Sequence, residues 1–518
     1  MFVLLSPGKR GVLSSPASQP AEGRPEGGRL SPAPWVVAIA LSLALFLPPA
    51  IGSGWILDDT TLFSQVSVDL PSVVSWWTTS ASFVWRPLAW TVQRLVASPF
   101  GNAPEAYRLL DLAVHLANVG LIGACAVAAG GRSRTAALLA AAWCVHPATI
   151  DTVSWNAAGT DVFSVSFCLT ALLGVLRGWH PAAVGSAVLA ALLCKETAIP
   201  VVAVLPIVAA SRGQRPWGPA VAGAVAVTAW WVAHGVVTHD SPQAALRSWE
   251  GALAWIQGVP WPLYCPPSAP LFHVFDPADR AATGIGLAGL GGLLTLALLS
   301  RDRNIRLAVA AWLLMLAPVG PGVAFIGVQP VRYAYLPLAV SLALLAGSRR
   351  LDGRVFMGAV VAWCLIAAPR AFLRAQVWNE ERSIFADELF VERENPVARW
   401  YAGSNLVRVP EAPSERETGF RLMLGVLDAE RPRRVDLLDR PERRQQLAEM
   451  AFVYGAPGLA LEQAQKFIAE TRRRGVKVPA NAWCLVADAS DALGVVVPPE
   501  AESGCASGTT GAPASAPR

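Results

Sequence analysis

The chain is predicted to be an all-α polytopic membrane protein of about eleven transmembrane helices, followed by a small α-helical domain. Three observations predict it. Of 518 residues, 53% are hydrophobic and 15% charged. The apolar residues fall in long blocks rather than alternating through a soluble core. Arginines occupy short clusters between the blocks, so the net charge of +5 reflects membrane topology and not a nucleic-acid partner.

Residues 1–33 combine Pro, Gly and Ser with an apolar start too short for a signal core, and are expected to be a disordered cytoplasmic tail. Apolar spans follow at approximately 35–53, 109–129, 135–149, 161–176, 181–194, 197–210, 217–237, 282–299, 306–326, 333–347 and 355–370. Lys9 with Arg10, Arg132 with Arg134, Arg177, Arg212 with Arg215, Arg301 with Arg303 and Arg306, and Arg349 with Arg350 and Arg354 fall at every second boundary. Those boundaries are therefore expected to be cytoplasmic. The block from Pro181 to Ala210 is read as a tight hairpin bent at "CKETAIP", because one long span would carry Arg212 and Arg215 to the other side. The transmembrane domain covers 34–370, an external helical domain 371–491, and a disordered tail 492–518.

This topology gathers the polar motifs on the external face. "SGWILDDTTLF" places Asp58 and Asp59 just past the first span, and the loop continues through "VWRPLAW" to about Tyr107. Later external turns carry "HPATIDTVSWNAAGTD", "CKETAIP", "YCPPSAPLFHVFDPADR" and "QPVRYAYLP". A carboxylate at a bilayer centre costs roughly 2.5 to 3.5 kcal/mol on insertion scales, so an acidic pair beside a span needs water, partners or a function. A site opening outward is the reading of this asymmetry.

In order, "DDTTLF", "WRPLAW", "SPFGNAPEAYRLLDLAVHLAN", "HPATIDTVSWNAAGTD", "LLCKETAIP", "VRYAYLP" and "VWNEERSIF" resemble the GT-C superfamily of integral-membrane glycosyltransferases. The branch is that with C-terminal tetratricopeptide repeats, related to the protein O-mannosyltransferases, and the similarity spans roughly Trp35 to Pro396. The resemblance implies inverting transfer of a sugar from a polyprenyl-phosphate carrier to an acceptor hydroxyl, on protein or glycan, at the outer face. By it, Asp58 matches the base and Asp59 the residue orienting the acceptor or Asp58 itself. Arg86, His115, Asp151, Lys195, Glu196 and Arg332 match further site positions, with Tyr333 beside the last. The chain departs from the pattern at Arg108 and Asp111, where His and Asn are frequent, and at Gly159, where an Arg is frequent.

The chemistry asks for the same residue types. A sugar or Ser/Thr hydroxyl is a poor nucleophile, and a positioned carboxylate that takes its proton supplies roughly 10² to 10⁴ in rate. The departing lipid phosphate gathers negative charge that Arg86, Lys195 or Arg332 can stabilise, Arg through a planar fork and Lys as a point charge. Each residue also has a structural reading. The Asp pair can be a hydrated helix cap, Arg332 with Tyr333 and Tyr335 an interfacial anchor, and Lys195 with Glu196 a neutralising pair. His115 and His146 can be packing residues. No Cys and His cluster has zinc spacing. A Mg²⁺ or Mn²⁺ ion bridging Asp58 or Asp59 to phosphate suits hard oxygen ligands, and the sequence does not decide for or against it. Trp76, Trp77, Trp85, Trp90, Trp155, Trp255 and Trp261 fall near expected interfaces.

Beyond Arg370, segments such as "LEQAQKFIAETRRRG" carry apolar residues at helical spacing, and "ALEQAQKFI" is similar to a tetratricopeptide helix without the full consensus. Degenerate helical repeats are expected there. Cys265, Cys484 and Cys505 fall on the external side, where Cys484 and Cys505 could join the tail to the helical domain. Richness in Ala, Gly and Arg points to a bacterial inner membrane and an undecaprenyl carrier. Two other functions fit the same architecture: an O-antigen polymerase or ligase, which would not need the early Asp pair, and a non-catalytic membrane scaffold with an interaction domain. A transporter would need polar residues reaching both faces, and the cytoplasmic loops are sparse.

Overall fold

Apolar helices dominate the computed structural model, which describes residues 32–63, 70–79, 85–101, 103–238, 249–264, 272–276, 278–326, 328–428 and 440–506. The N-terminal segment 1–31, Cys265 and the last twelve residues lie outside these. Among the described residues seven helices are long and apolar enough to cross a membrane, or eight if one bent pair is counted as a span; three more apolar helices are shorter. The first is Pro32–Gly52 and the last Arg354–Val377. Outward-facing apolar side chains stud the perimeter, with Leu298 83%, Val355 89% and Ile366 72% exposed. Such a surface is stable only against lipid, so the chain is a multi-pass membrane protein.

The connections sort themselves into two groups by contact. At one end the Trp35 indole donates to Ser133 at 2.8 Å, Arg212 to the Ala128 carbonyl at 3.1 Å and Arg303 to the Ser211 carbonyl at 3.0 Å. There Asn304 donates to the carbonyls of Ala129 and Gly347, and Asp352 accepts from Thr135 and pairs with Arg132 at 3.2 Å. The basic connections thus gather at one end of the bundle. The acidic loop after the first span and the later polar turns meet at the other.

Three boundaries differ from the sequence reading, each for a local reason. Helix Ser133–Cys144 stops short of the expected 149, because Pro147 lacks an N–H and disfavours α-geometry at His146. The chain restarts as Pro147–Val153, bent by 67°. His146 holds the corner: its Nδ1 accepts from the Ala148 amide at 3.1 Å, and its Nε2 donates to the Pro262 carbonyl at 2.7 Å. Secondly, the expected 306–326 span runs over Arg303–Val323 but is interrupted at Pro318, between helices Arg303–Leu316 and Val319–Ile326. Thirdly, the last span continues past 370 to Val377 despite Pro369, bringing Arg370 and Arg374 onto its terminal turns. The chain does break at "CKETAIP", between helices Pro181–Cys194 and Val201–Ser211, with Lys195 extended.

Among the described residues seven helices follow the membrane region, from Glu381–Val391 to Pro499–Ala506. Proline opens four of them, at Pro396, Pro413, Pro457 and Pro499, where its missing N–H costs nothing. Left-handed Gly494 closes Ala480–Leu493. Helix Pro499–Ala506 occupies part of the tail expected to be disordered, and a Cys484–Cys505 disulfide fixes it to Ala480–Leu493. A two-stranded antiparallel pair, Phe272–Val274 with Val328–Pro330, carries Val274 and Val328 into one core with Val397, Trp400 and Met423. The post-membrane helices are therefore docked on the polar end of the bundle.

The disulfide closes a sequence separation of 21 residues, so Cys505→Ser should lower the stability of the post-membrane helices by about 2 to 4 kcal/mol. Thermal denaturation followed by limited proteolysis of the detergent-solubilised protein measures it. Mapping of alkylated peptides without reductant should find both cysteines unmodified.

Candidate functional site

The acidic loop is held from within and from both sides. Arg108, buried at the start of helix Pro104–Ala128, donates to the carbonyls of Ser53 and Gly54 at 2.6 Å each and to that of Ser154 at 3.3 Å. Asp59 is fully buried in the first turn of the short helix Asp59–Leu62. One of its oxygens accepts from the Ala157 amide at 2.8 Å and the other from the Ile56 amide at 3.4 Å, with Arg108 at 3.9 Å. Burial pushes its carboxyl up to about 7, against the pull of Arg108 and the two amides. Asp59 is thus a frame residue joining the first loop to the segment Trp155–Ala157.

Asp58 is its opposite. Exposed at the N-cap of the same helix, it makes no side-chain cap bond, so the capping role open to it in the sequence is not taken. The residue before it, Leu57, is the one described non-glycine residue with positive φ, at 53°. A left-handed leucine costs roughly 1 to 2 kcal/mol, so the surroundings must hold it. Glu381, from the first post-membrane helix, lies near the Leu57 amide and Asp58. Burial raises the Glu381 carboxyl above its usual range; Arg408 and the Leu57 amide lower it, and the charge of Asp58 raises it further.

The cations expected to meet an anion are differently employed. Arg86 forks onto Glu196 at 2.6 and 3.1 Å and reaches Thr160 at 3.4 Å. Lys195 pairs with Asp161, both nearly buried. Arg332 has neither carboxylate: its guanidinium lies 4.3 Å from the Trp155 ring centroid and 5.5 Å from that of Tyr333, and its buried Nη1 has no hydrogen-bond partner. Trp155 is stacked in turn on Trp378, at 5.8 Å. Of these three cations, Arg332 is the one without a carboxylate partner among the described residues. The Trp155–Ala157 segment therefore carries Arg332 at one end and the acidic loop at the other.

Asp151 belongs to a strut rather than to this opening. It accepts from Arg374 at 3.1 and 3.4 Å and from the Trp378 indole at 3.2 Å. Arg374 also bonds Asp387 at 2.9 Å and Glu388 at 3.3 Å. His115 lies inside the bundle, 3.0 Å from the Tyr335 hydroxyl and among the rings of Phe46, Trp143 and Tyr335, which is the packing arrangement. The Gly159 departure has a steric cause. A Cβ there would lie 2.3 Å from Gln93 and 2.4 to 2.6 Å from the buried Asp111 carboxyl; Asp111 fills the space a side chain at 159 would need.

Sequence reasoning named Asp58, Asp59, Arg86, Lys195, Glu196, Arg332 and Tyr333, and the structure brings these to the polar end of the bundle. It missed Asp161, Arg374 and Glu388, whose partners are hundreds or tens of residues away, and it gave Trp155 only an interfacial place. Among the described residues no three His, Cys, Asp or Glu side chains gather as a metal-ligand set. No protein-family model matches the chain, and neither does any curated protein or solved structure.

Replacing Arg374 by Met leaves the buried carboxylates of Asp151 and Glu388 without their cation, a loss of about 3 to 5 kcal/mol. Melting and monodispersity in detergent should collapse together. Arg86→Met should be milder, because Glu196 is 44% exposed and can be hydrated.

Proposed function

We propose that the protein is an inverting membrane glycosyltransferase, moving a sugar from a polyprenyl-phosphate donor to an acceptor hydroxyl on the external face. One observation carries the reading. The exposed Asp58 directly precedes Asp59, which accepts from the Ala157 amide, and the Arg332 guanidinium, with no ion pair among the described residues, lies over the Trp155 ring of the same segment.

Asp58 takes the acceptor's hydroxyl proton as the oxygen forms its bond to the anomeric carbon, opposite the lipid phosphate. The bond from that carbon to the phosphate oxygen breaks, and its electron pair leaves on the phosphate. Arg332, held flat on Trp155, presents its free N–H to that developing charge in a water-poor setting. Arg86 and Lys195, tied to Glu196 and Asp161, shape the pocket's wall and field. If the basic connections face the cytoplasm, as the positive-inside rule favours, this end of the bundle faces outside. The Cys484–Cys505 bond supports that placement, since disulfides persist in oxidising compartments. The post-membrane helices act as degenerate tetratricopeptide-like repeats beside the opening, where an acceptor protein or glycan would approach.

The test is incubation of purified protein with labelled polyprenyl-phosphate sugars. Asp58→Asn should abolish transfer while donor binding survives, since it removes a proton acceptor and little volume. Asp59→Asn should be damaging but less complete. Arg332→Lys should weaken donor use though the charge is kept. Wild-type transfer in both Asp variants would sink the catalytic reading. Separately, a reporter joined after Ala506 should read as external and one after Arg306 as cytoplasmic; the reverse at either would overturn the orientation.

A further inference from the structure

The basic end of the bundle carries a groove that the chemistry above does not use. It lies between two turns, one joining helices Gly159–Arg177 and Pro181–Cys194, the other joining Val201–Ser211 and Trp217–Thr238. A left-handed glycine closes each turn, Gly178 and Gly213, both at φ 71°. The next amide then reaches back to the preceding helix, Trp179 to the Gly174 carbonyl at 2.8 Å and Gln214 to that of Ala209 at 3.0 Å. Such caps fix the path of the chain leaving a helix. A Cβ at Gly218 would lie 2.9 Å from Pro181 Cγ, so glycine there lets the two helix starts close on each other. The cavity holds about 420 Å³ and is lined by Trp179, Pro181, Gln214, Arg215 and Trp217 among others, a volume within the range of ligand pockets.

Its charge has one sign. Residues 175–184 and 211–219 contain Arg177, Arg212 and Arg215 and no Asp or Glu. Arg215 is exposed and in no ion pair among the described residues. Two aspartates at the same end are engaged elsewhere: Asp302 accepts from Ser348 at 2.6 Å, and Asp352 pairs with Arg132 at 3.2 Å. Away from the groove the surface turns apolar. Trp217, Val221, Val225, Val232 and Val236 are all exposed along one helix at intervals of four and seven residues, which makes a lipid-facing stripe. We infer that the groove binds an anionic phospholipid: Arg215 and Gln214 donate to its phosphate, the two tryptophans border its glycerol, and its acyl chains lie on the valine stripe. A water-soluble anion would use the arginine alone, whereas a phospholipid uses both parts. The inference stands independently of the glycosyltransferase reading.

Full-length protein in detergent is titrated with phosphatidylglycerol and with phosphatidylcholine, and bound lipid is counted by native mass spectrometry. Phosphatidylglycerol should bind the wild type more tightly, and the preference should fall as salt rises. Arg215→Gln should weaken phosphatidylglycerol about fivefold, the factor associated with one basic residue at an anionic surface, and leave phosphatidylcholine unchanged. Arg215→Lys keeps the charge and should stay within about twofold of wild type. Trp217→Ala should weaken both lipids. Arg134→Gln is the control: Arg134 is equally exposed at the same end but outside the groove, and its loss should change nothing. Equal binding of the two lipids, or equal losses from Arg215→Gln and Arg134→Gln, overturns the site in favour of diffuse surface attraction. Displacement of phosphatidylglycerol by inorganic phosphate makes the groove a small-anion site, and tighter binding of a polyprenyl phosphate makes it a donor site; either overturns the phospholipid assignment.

Discussion

The buried ion pair between Asp151 and Arg374 is the constraint on which the arrangement of this protein depends. Both side chains are essentially without water, and a lone charge there would be intolerable in a membrane-embedded fold. Because Arg374 also meets Asp387 and Glu388, one guanidinium ties three parts of the chain: the short helix after the Pro147 bend, the last membrane helix and the first post-membrane helix. The long extension of that last helix past Pro369 follows from it, since an earlier stop would leave Asp151 unmatched. So does the seating of Trp378 on Trp155, and through Trp155 the location of Arg332.

Within that frame, two adjacent aspartates have different surroundings because a short helix starts between them. Asp59, at the first helical position, turns inward to two amides and Arg108; Asp58, one residue earlier, stays outside. The cations show the same division. Arg86 and Lys195 have carboxylates of their own, and Arg332 has only aromatic faces. A matched pair gains little from a ligand, while an unmatched donor has its hydrogen-bonding capacity to offer.

The helices were legible in the sequence because the apolar blocks are long and the arginines mark their ends. Helix occupies each block, and the break at "CKETAIP" follows from the mismatch between block length and charge pattern. What was not legible depends on partners distant in sequence. Nothing near Asp151 announces Arg374, so the aspartate reads like a ligand for substrate; only the fold shows it committed. The Pro147 bend was readable from the proline, but an apolar run to Thr149 masked it. Gly159 stands in the sequence where an arginine is frequent, and only the fold shows the Asp111 carboxyl in the space beside it. The exposed state of Asp58 and the enclosure of Asp59 could not have been assigned from two identical letters.

The separation of Asp151 from Arg374 also bears on how the chain is made. The partners are 223 residues apart, and at roughly 5 to 20 residues per second the ribosome needs about 10 to 45 s to bridge that interval. Throughout it the aspartate has been synthesised and its arginine has not. Until then the Asp151 carboxylate has no Arg374 to pair with. The pair can form only once the last membrane helix is made, so a chain ending before Arg374 lacks the cation that matches Asp151.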